Sequence, residues 1–317
     1  MATKTILALA VGDPKASQLI DHPNKLPGVR PYISGLIDGL AKSGCQLGTH
    51  YVIDYRQNWL DYIVGGGAFT DLPDDPALIY AMSTKVMRAA GDYTDGIPIV
   101  FPNCSEHGDE EYVKAGRATG FSAQRTQSAG QCFDRFFRSV PTLKRVFIPR
   151  IDEHDICENA LQLVMAAAVE KGVEPVPVLV TTHADLLDKL SALPKRASGA
   201  PATMGVHILP VDMFFGATPE IIKCVQANKN LPAFFPVSDW VTEAYDGAFG
   251  GYGVPQRTCG QRTAAHVQQI LSRDGPDASQ RLLKVVEAAG SDFDWAVSRA
   301  AATALGLSNV DPAARLL

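Results

Sequence analysis

The feature that most restricts this chain is a strand–helix–strand order that runs through its first half and returns in its second. "TILALAV" reads as a strand over Thr5–Val11. After a proline-bearing loop, Ile33, Leu36, Ile37 and Leu40 recur at helical spacing, and Gly44 stands where that helix should stop. "THYVIDY" follows with the β-branched and aromatic residues of a strand, then "ALIYAM", the helical "TKVMRAAGD" and the strand "IPIVF". Beyond Gly120 the order restarts with "RVFIP", the helix "CENALQLVMAAAVEKG", "VEPVPVLV", "MGVHILPV", the helix "TPEIIKCVQANKN" and "LPAFFPV". In each half the first helix ends in glycine before a strand, and the second precedes an apolar strand containing proline. Strands alternating with helices call for parallel sheets covered on both faces. The expectation is α/β: two doubly wound parallel-sheet lobes with a ligand cleft between them, its residues just past the strand carboxyl ends.

Composition removes several function classes. The 317 residues are 46% hydrophobic and 20% charged, a globular balance, and the formal net charge of -5 provides no basic field for nucleic acid. No apolar run nears the roughly 18 residues that would embed the chain in a membrane. Six cysteines (Cys45, Cys104, Cys132, Cys157, Cys224, Cys259) lack C-x-x-C spacing, so neither a zinc site nor a redox pair is indicated. There is no G-x-G-x-x-G after the first strand, "VGGGAF" has no phosphate-loop lysine, and no G-x-S-x-G elbow occurs. The histidines show no metal-ligand spacing, and no cofactor is expected. "MATKTILALAVGDP" has neither a longer apolar region nor a cleavage site. As written the chain reads as cytoplasmic, and as periplasmic if a leader was removed.

The C-terminal third carries a resemblance. "LPAFFPVSDWVTEAYDGAFGGYGVPQRTCGQRTAAHVQQIL" and the tail "FDWAVSRAAATALGLSNVDPAARLL" resemble ABC-transporter substrate-binding proteins of the type I periplasmic-binding fold. "GLIDGLAKSGCQLGTHYVIDYR" and "STKVMRAAGDYTDGIPIVF" are similar to that family's first helical units. As written the sequence reads without the leader expected of that family, and it has "PNCSEHGDE" where the family has an acidic-proline pair. The resemblance implies a first lobe of 1–120 plus 255–275 and a second of 121–254 plus 276–317. It also implies a small-molecule ligand, with an aromatic or branched amino acid preferred, and an ABC permease as partner.

Candidate residues follow from the strand ends. Ser83 and Thr84 open a helix whose first turn has no acid and carries Lys85. Free N–H groups and the helix dipole there suit an anion, and the resemblance implies a ligand carboxylate; the plainer reading is a helix cap. "ATPEII" in the second half, with Thr218 as cap, Pro219 and Glu220, reads as a self-satisfied start. Asp212 is a candidate for a ligand ammonium or for a local turn, and Asp239 is a second acid. Phe214, Trp240 and Tyr252 are candidates for cleft wall or for core. Asn103, Cys104 and Ser105 form the most polar strand end, and Asp152 lies in a strand-end loop that otherwise reads as solvated. The functional expectation is a solute-binding protein, not an enzyme, that closes on an amino acid or small carboxylate for an ABC importer. The alternatives are a cytoplasmic ligand sensor of the same fold and a cysteine-based, cofactor-independent racemase. Such a racemase would place a cysteine after a strand in each lobe; Cys104 is so placed, but Cys224 falls inside a helix. Separately, Cys104 and His107 can be read as a nucleophile and a base.

Overall fold

The computed structural model describes residues 3–10, 18–22, 31–56, 76–93, 96–104, 111–152, 155–211, 213–214, 217–241, 248–272, 282–307 and 310–317. The chain divides into two units, 1–123 with 256–288 and 124–255 with 289–317. The first unit supplies β1 (Lys4–Leu9), β2 (Gln18–Ile20), α1 (Pro31–Lys42), β3 (Tyr51–Arg56), β4 (Leu78–Ala81), α2 (Thr84–Tyr93), β5 (Ile99–Phe101) and β6 (Ala118–Ser122). The second contains α3 (Ala129–Ser139), β7 (Arg145–Arg150), α4 (Asp155–Glu170), β8 (Glu174–Leu179), α5 (His183–Ser191), β9 (Met204–His207), α6 (Thr218–Ile222), β10 (Ala233–Phe235) and β11 (Gly250–Gly253). The chain then returns to the first unit for α7 (Gln256–Leu271) and β12 (Val286–Glu287), and ends in the second with β13 (Asp294–Val297), α8 (Arg299–Ala304) and β14 (Arg315–Leu316).

Each unit has a seven-stranded sheet, ordered β12-β6-β5-β4-β1-β3-β2 in the first and β14-β13-β11-β10-β9-β7-β8 in the second. Within each lies the same parallel series. Counting that unit's first five mutually parallel strands in sequence, the order is 2-1-3-4-5: β3-β1-β4-β5-β6 and β8-β7-β9-β10-β11. That order reverses direction between its first and third strands, which is where doubly wound sheets place their ligands. The antiparallel pairs are β2 with β3 and β11 with β13, both at the flanks.

The expected third boundary moves. Residues 282–288 belong to the first unit, not the second, because Val286 and Glu287 pair with Phe121 and Ser122 of β6. The segment is fastened further by Thr119 Oγ1 donating to Leu283 O and by His266 Nε2 against Lys284 O at 3.0 Å.

The first unit is closed by an unusually near approach of two helices. A methyl group on Gly35 of α1 would lie 2.0 Å from Arg257 O of α7, and one on Gly260 of α7 would lie 2.0 Å from Tyr32 O. Gly39 faces Ala264 in the same seam. Without side chains the backbones meet directly, and Tyr80 Oη and Thr263 Oγ1 (2.9 Å) tie α7 to the sheet beneath. On the other face Leu7, Leu9, Ile79, Ala81, Ile99, Phe101 and Ala118 pack against Val86, Met87 and Ala90 of α2.

The second unit is filled by rings. Phe136 of α3 stacks on Phe234 of β10 (5.1 Å, 16°) and touches Phe249, while Phe133 and Phe136 enclose the His207 ring at 5.9 and 6.3 Å. Buried Arg196 closes the opposite end. Its guanidinium donates to Asn230 O (2.8 Å), Asn230 Oδ1 (3.2 Å), Ala200 O (2.6 Å) and Leu305 O (2.6 Å). Asn230 follows the helical run begun by α6, and Leu305 is the C-cap of α8. The charge therefore sits at two helix C-termini, where the backbone dipoles favour a cation.

Strand β8 forms one border of the second sheet. Glu174 N and Val180 N donate to Lys144 O and Arg150 O beside β7, so the even-numbered amides face inward. The outward positions are 175, 177 and 179, and two of them are Pro175 and Pro177. Proline is tolerated there because its missing N–H faces away from the ladder.

Candidate functional site

In the first unit, β4, β5 and β6 are adjacent and parallel, so their carboxyl ends share one edge of the sheet. Ser83 and Thr84 follow β4, Asn103 and Cys104 follow β5, and Ser122 closes β6. Ser83, Thr84, Cys104 and Ser122 are all buried, and Asn103 is half-buried. These are small, uncharged, hydrogen-bonding side chains. Residues alternate across a strand, so the register of Phe101 with Gly120 places Ser122 on the face of Ile99, Phe101 and Ala118, the face α2 covers.

Ser83 caps α2. Its Oγ accepts from Val86 N–H at 3.3 Å, and Met87 N–H donates to Ser83 O at 2.9 Å. The capping reading therefore describes Ser83 in this structure, although accepting one bond leaves its own O–H free to donate. The contrast drawn with the second half needs correcting. Thr218 is not the cap of α6: Ala217 holds that position, no side chain caps the helix, and Thr218 Oγ1 donates back to Phe214 O at 3.3 Å. A threonine already inside the helix turns its hydroxyl to the preceding turn's carbonyl, not to the orphan amides. Glu220 does stand in the first turn of α6, and α2 has no acid in its own.

At the carboxyl edge of the second unit one polar candidate is engaged close to home. Asp152, past β7, is exposed and pairs with Arg150 Nη1 at 2.6 Å, the solvated turn expected of it. Phe214 is fully buried in the ring core, and Trp240 is buried with its edge on Phe235 (5.4 Å, 90°). Tyr252 is held by both a ring and a cation. Phe293 stacks on it at 5.5 Å and the Arg135 guanidinium lies 5.5 Å from its centroid, while its O–H donates to Gln131 Oε1 at 3.1 Å. These three aromatics serve packing. Their apolar faces gain more from burial in the core than exposed rings would. Asp239 is half-exposed in the short 3-10 turn Ser238–Val241. Ser105, His107 and Asp212 lie outside the described residues.

Two further features bear on chemistry. The Cys104 thiol is buried, and Cys224 sits in the π-helical run Lys223–Asn228 with its Sγ 3.1 Å from Ser191 Oγ. Cys224 is therefore not a strand-end thiol of the kind a two-cysteine racemase needs. Among the described residues no cluster of three or more His, Cys, Asp or Glu is set to hold a metal, and no helix is long and apolar enough to cross a membrane.

Reading the sequence missed Ser122, because "ATGFS" did not register as a strand. Gly120 interrupts it, and glycine is required there: its φ is +153°, and a methyl group would lie 2.0 Å from Phe101 O. The available signal was position alone, a serine where a fifth parallel strand had to end.

No protein-family model matches the chain, and no curated protein matches it by sequence. Solved structures do. A conserved domain protein from Vibrio cholerae aligns over 99% of both chains with a TM-score of 0.73 at 19% identity. An ABC domain in complex with L-Trp from Streptococcus pneumoniae aligns over 99% of both with a TM-score of 0.73 at 15% identity. A substrate-binding protein with adhesive properties, from Clostridium difficile, aligns over 99% of both at 0.58 and 18%. At such identities the likeness establishes architecture: the chain has the type I periplasmic-binding fold found in ABC-transporter solute-binding proteins.

Proposed function

We propose that this protein binds a small solute, an amino acid or small carboxylate, and delivers it to an ABC importer. The observation that carries the reading is the end-to-end likeness to solute-binding proteins, one of them in complex with L-Trp. The carboxyl edge of the first unit supports it. Ser83, Thr84, Asn103, Cys104 and Ser122 bring hydrogen-bonding groups and no acid to the ends of three neighbouring strands, beside the positive end of the α2 dipole. Such an edge suits a ligand carboxylate. Phe214, Trp240 and Tyr252 are committed to their own core, so they lend no support to a preference for aromatic side chains.

Calorimetric titration with the L-amino acids and a set of small carboxylates tests the class. At least one should bind, and Ser83→Ala with Thr84→Ala should weaken it about tenfold or more, the worth of hydrogen bonds to a charged group. Unchanged affinity in the double variant would remove the carboxylate role, and silence across both sets would remove the ligand class.

A further inference from the structure

The first unit holds a buried hydroxyl that its fold does not use. Ser122 is 3% exposed, and its Oγ has no hydrogen-bond partner among the described residues. Its neighbours on the same strand are different. Thr119 Oγ1 donates to Leu283 O, and the Ser122 carbonyl accepts from Ala288 N–H. The backbone of Ser122 is thus part of the sheet while its side chain is left over. Folded proteins rarely bury an unmet polar group unless it has a task.

Its place suggests the task. Ser122 is the last residue of β6, on the α2 face, and two strand positions from the Ser83 turn at the end of β4, about 10 Å by ordinary strand spacing. Cys104, after β5, lies in the core cluster of that same face. Ser83 has spent an acceptor site on Val86 N–H, which leaves its hydroxyl as a donor. The Ser122 hydroxyl, with no partner among the described residues, is equally able to donate.

We infer that Ser122 is a ligand-contacting residue of the first unit, donating its hydroxyl to a carboxylate oxygen of the bound solute. The inference rests on the solute-binding reading above and deepens it. It assigns a contact on a strand that no other candidate occupies, and it gives the carboxylate two serine donors approaching from different strands.

Three variants and two kinds of probe test it. The probes are the L-amino acids and their carboxamides, in which the charged acceptor is replaced by a neutral amide. Ser122→Ala should weaken amino-acid binding about tenfold while changing carboxamide binding far less, and Ser122→Thr, which keeps the hydroxyl, should restore most of the loss. The ligand-free Ser122→Ala protein should melt no lower than wild type, because removing an unmet hydroxyl takes away a burden and no bond. Thr119→Ala, which removes a hydroxyl that is bonded, should lower the melting temperature and serves as the structural control. A Ser122→Ala protein that melts lower without ligand would show a structural hydroxyl and overturn the inference. Unaltered amino-acid affinity would overturn it and leave the solute-binding reading standing. Failure of every probe to bind wild type would overturn both.

Discussion

The two units have one strand order and two ways of holding it. In the first, α1 and α7 come together by omission: Gly35, Gly39 and Gly260 remove side chains so that backbones touch. In the second, space is filled instead, by Phe133, Phe136, Phe234 and Phe249 around His207, with Arg196 fastening the far end. A 2-1-3-4-5 sheet constrains where helices lie, and it leaves open whether the gap beneath them closes by subtraction or by bulk. The strand ends differ only in part. Among the described residues β4, β5 and β6 of the first unit end in small neutral polar groups, whereas β3 ends in the Arg56–Asp54 pair much as β7 of the second ends in Arg150–Asp152.

The sharpest way to break the comparison is to add one methyl group to the helix seam of the first unit. Gly260→Ala should cost about 3 kcal/mol, because the new carbon meets a backbone oxygen that cannot rotate away. Urea melts followed by hydrogen exchange should show protection lost in α1 and α7 first. An equal loss across β9 and β10 would mean the two units do not differ in the way described.

Next in size is the clamp of the second unit. Arg196→Met keeps much of the side chain's bulk and deletes four donated bonds to carbonyl groups, which are then left buried. We expect a loss of about 2–3 kcal/mol with exchange protection falling around Asn230 and α8. Selective loss in the first unit would refute the assignment.

The smallest effect is one of pH. Burial among phenylalanines pushes His207 down to about 3 from an ordinary value near 6.5. The unfolded chain takes up a proton below pH 6.5 that the folded chain refuses, so stability falls as pH drops from 6.5 toward 3. At pH 5 the loss is about 2 kcal/mol. His207→Leu should flatten the slope between pH 6.5 and 5 and should be no less stable at pH 7, since it also removes two ring nitrogens that have no partner among the described residues. An unchanged slope would assign the acid sensitivity to another group.

What could be read in advance, and what could not, divides along the same physical line. Periodicity displayed α1, α2, α4, β7, β9 and β10, because each keeps an apolar face or run of ordinary length. Strand-end logic led to Ser83, Asn103 and Cys104 for the same reason: topology places them, whatever the packing. The second unit's aromatics were ambiguous, since a ring in a core and a ring beside a ligand are the same letter in a sequence. The sequence carries no mark that Gly35 and Gly260 meet a partner, and only that partner's backbone shows why they are needed. Strand β12, two residues long, has no pattern to detect, and the third boundary was misplaced with it. Arg196 sits in "PKRASG", a stretch with no pattern to mark it as buried, and it takes its role only from two distant helix ends that arrive around it.

The prolines of β8 have a consequence for life at high concentration. A strand from a neighbouring copy approaching that border would seek hydrogens at three places and find one, at Leu179. Zippering of copies into fibrils is thereby discouraged at its first step. Replacing Pro175 and Pro177 would hand strangers a complete docking rail while leaving the ladder to β7 untouched.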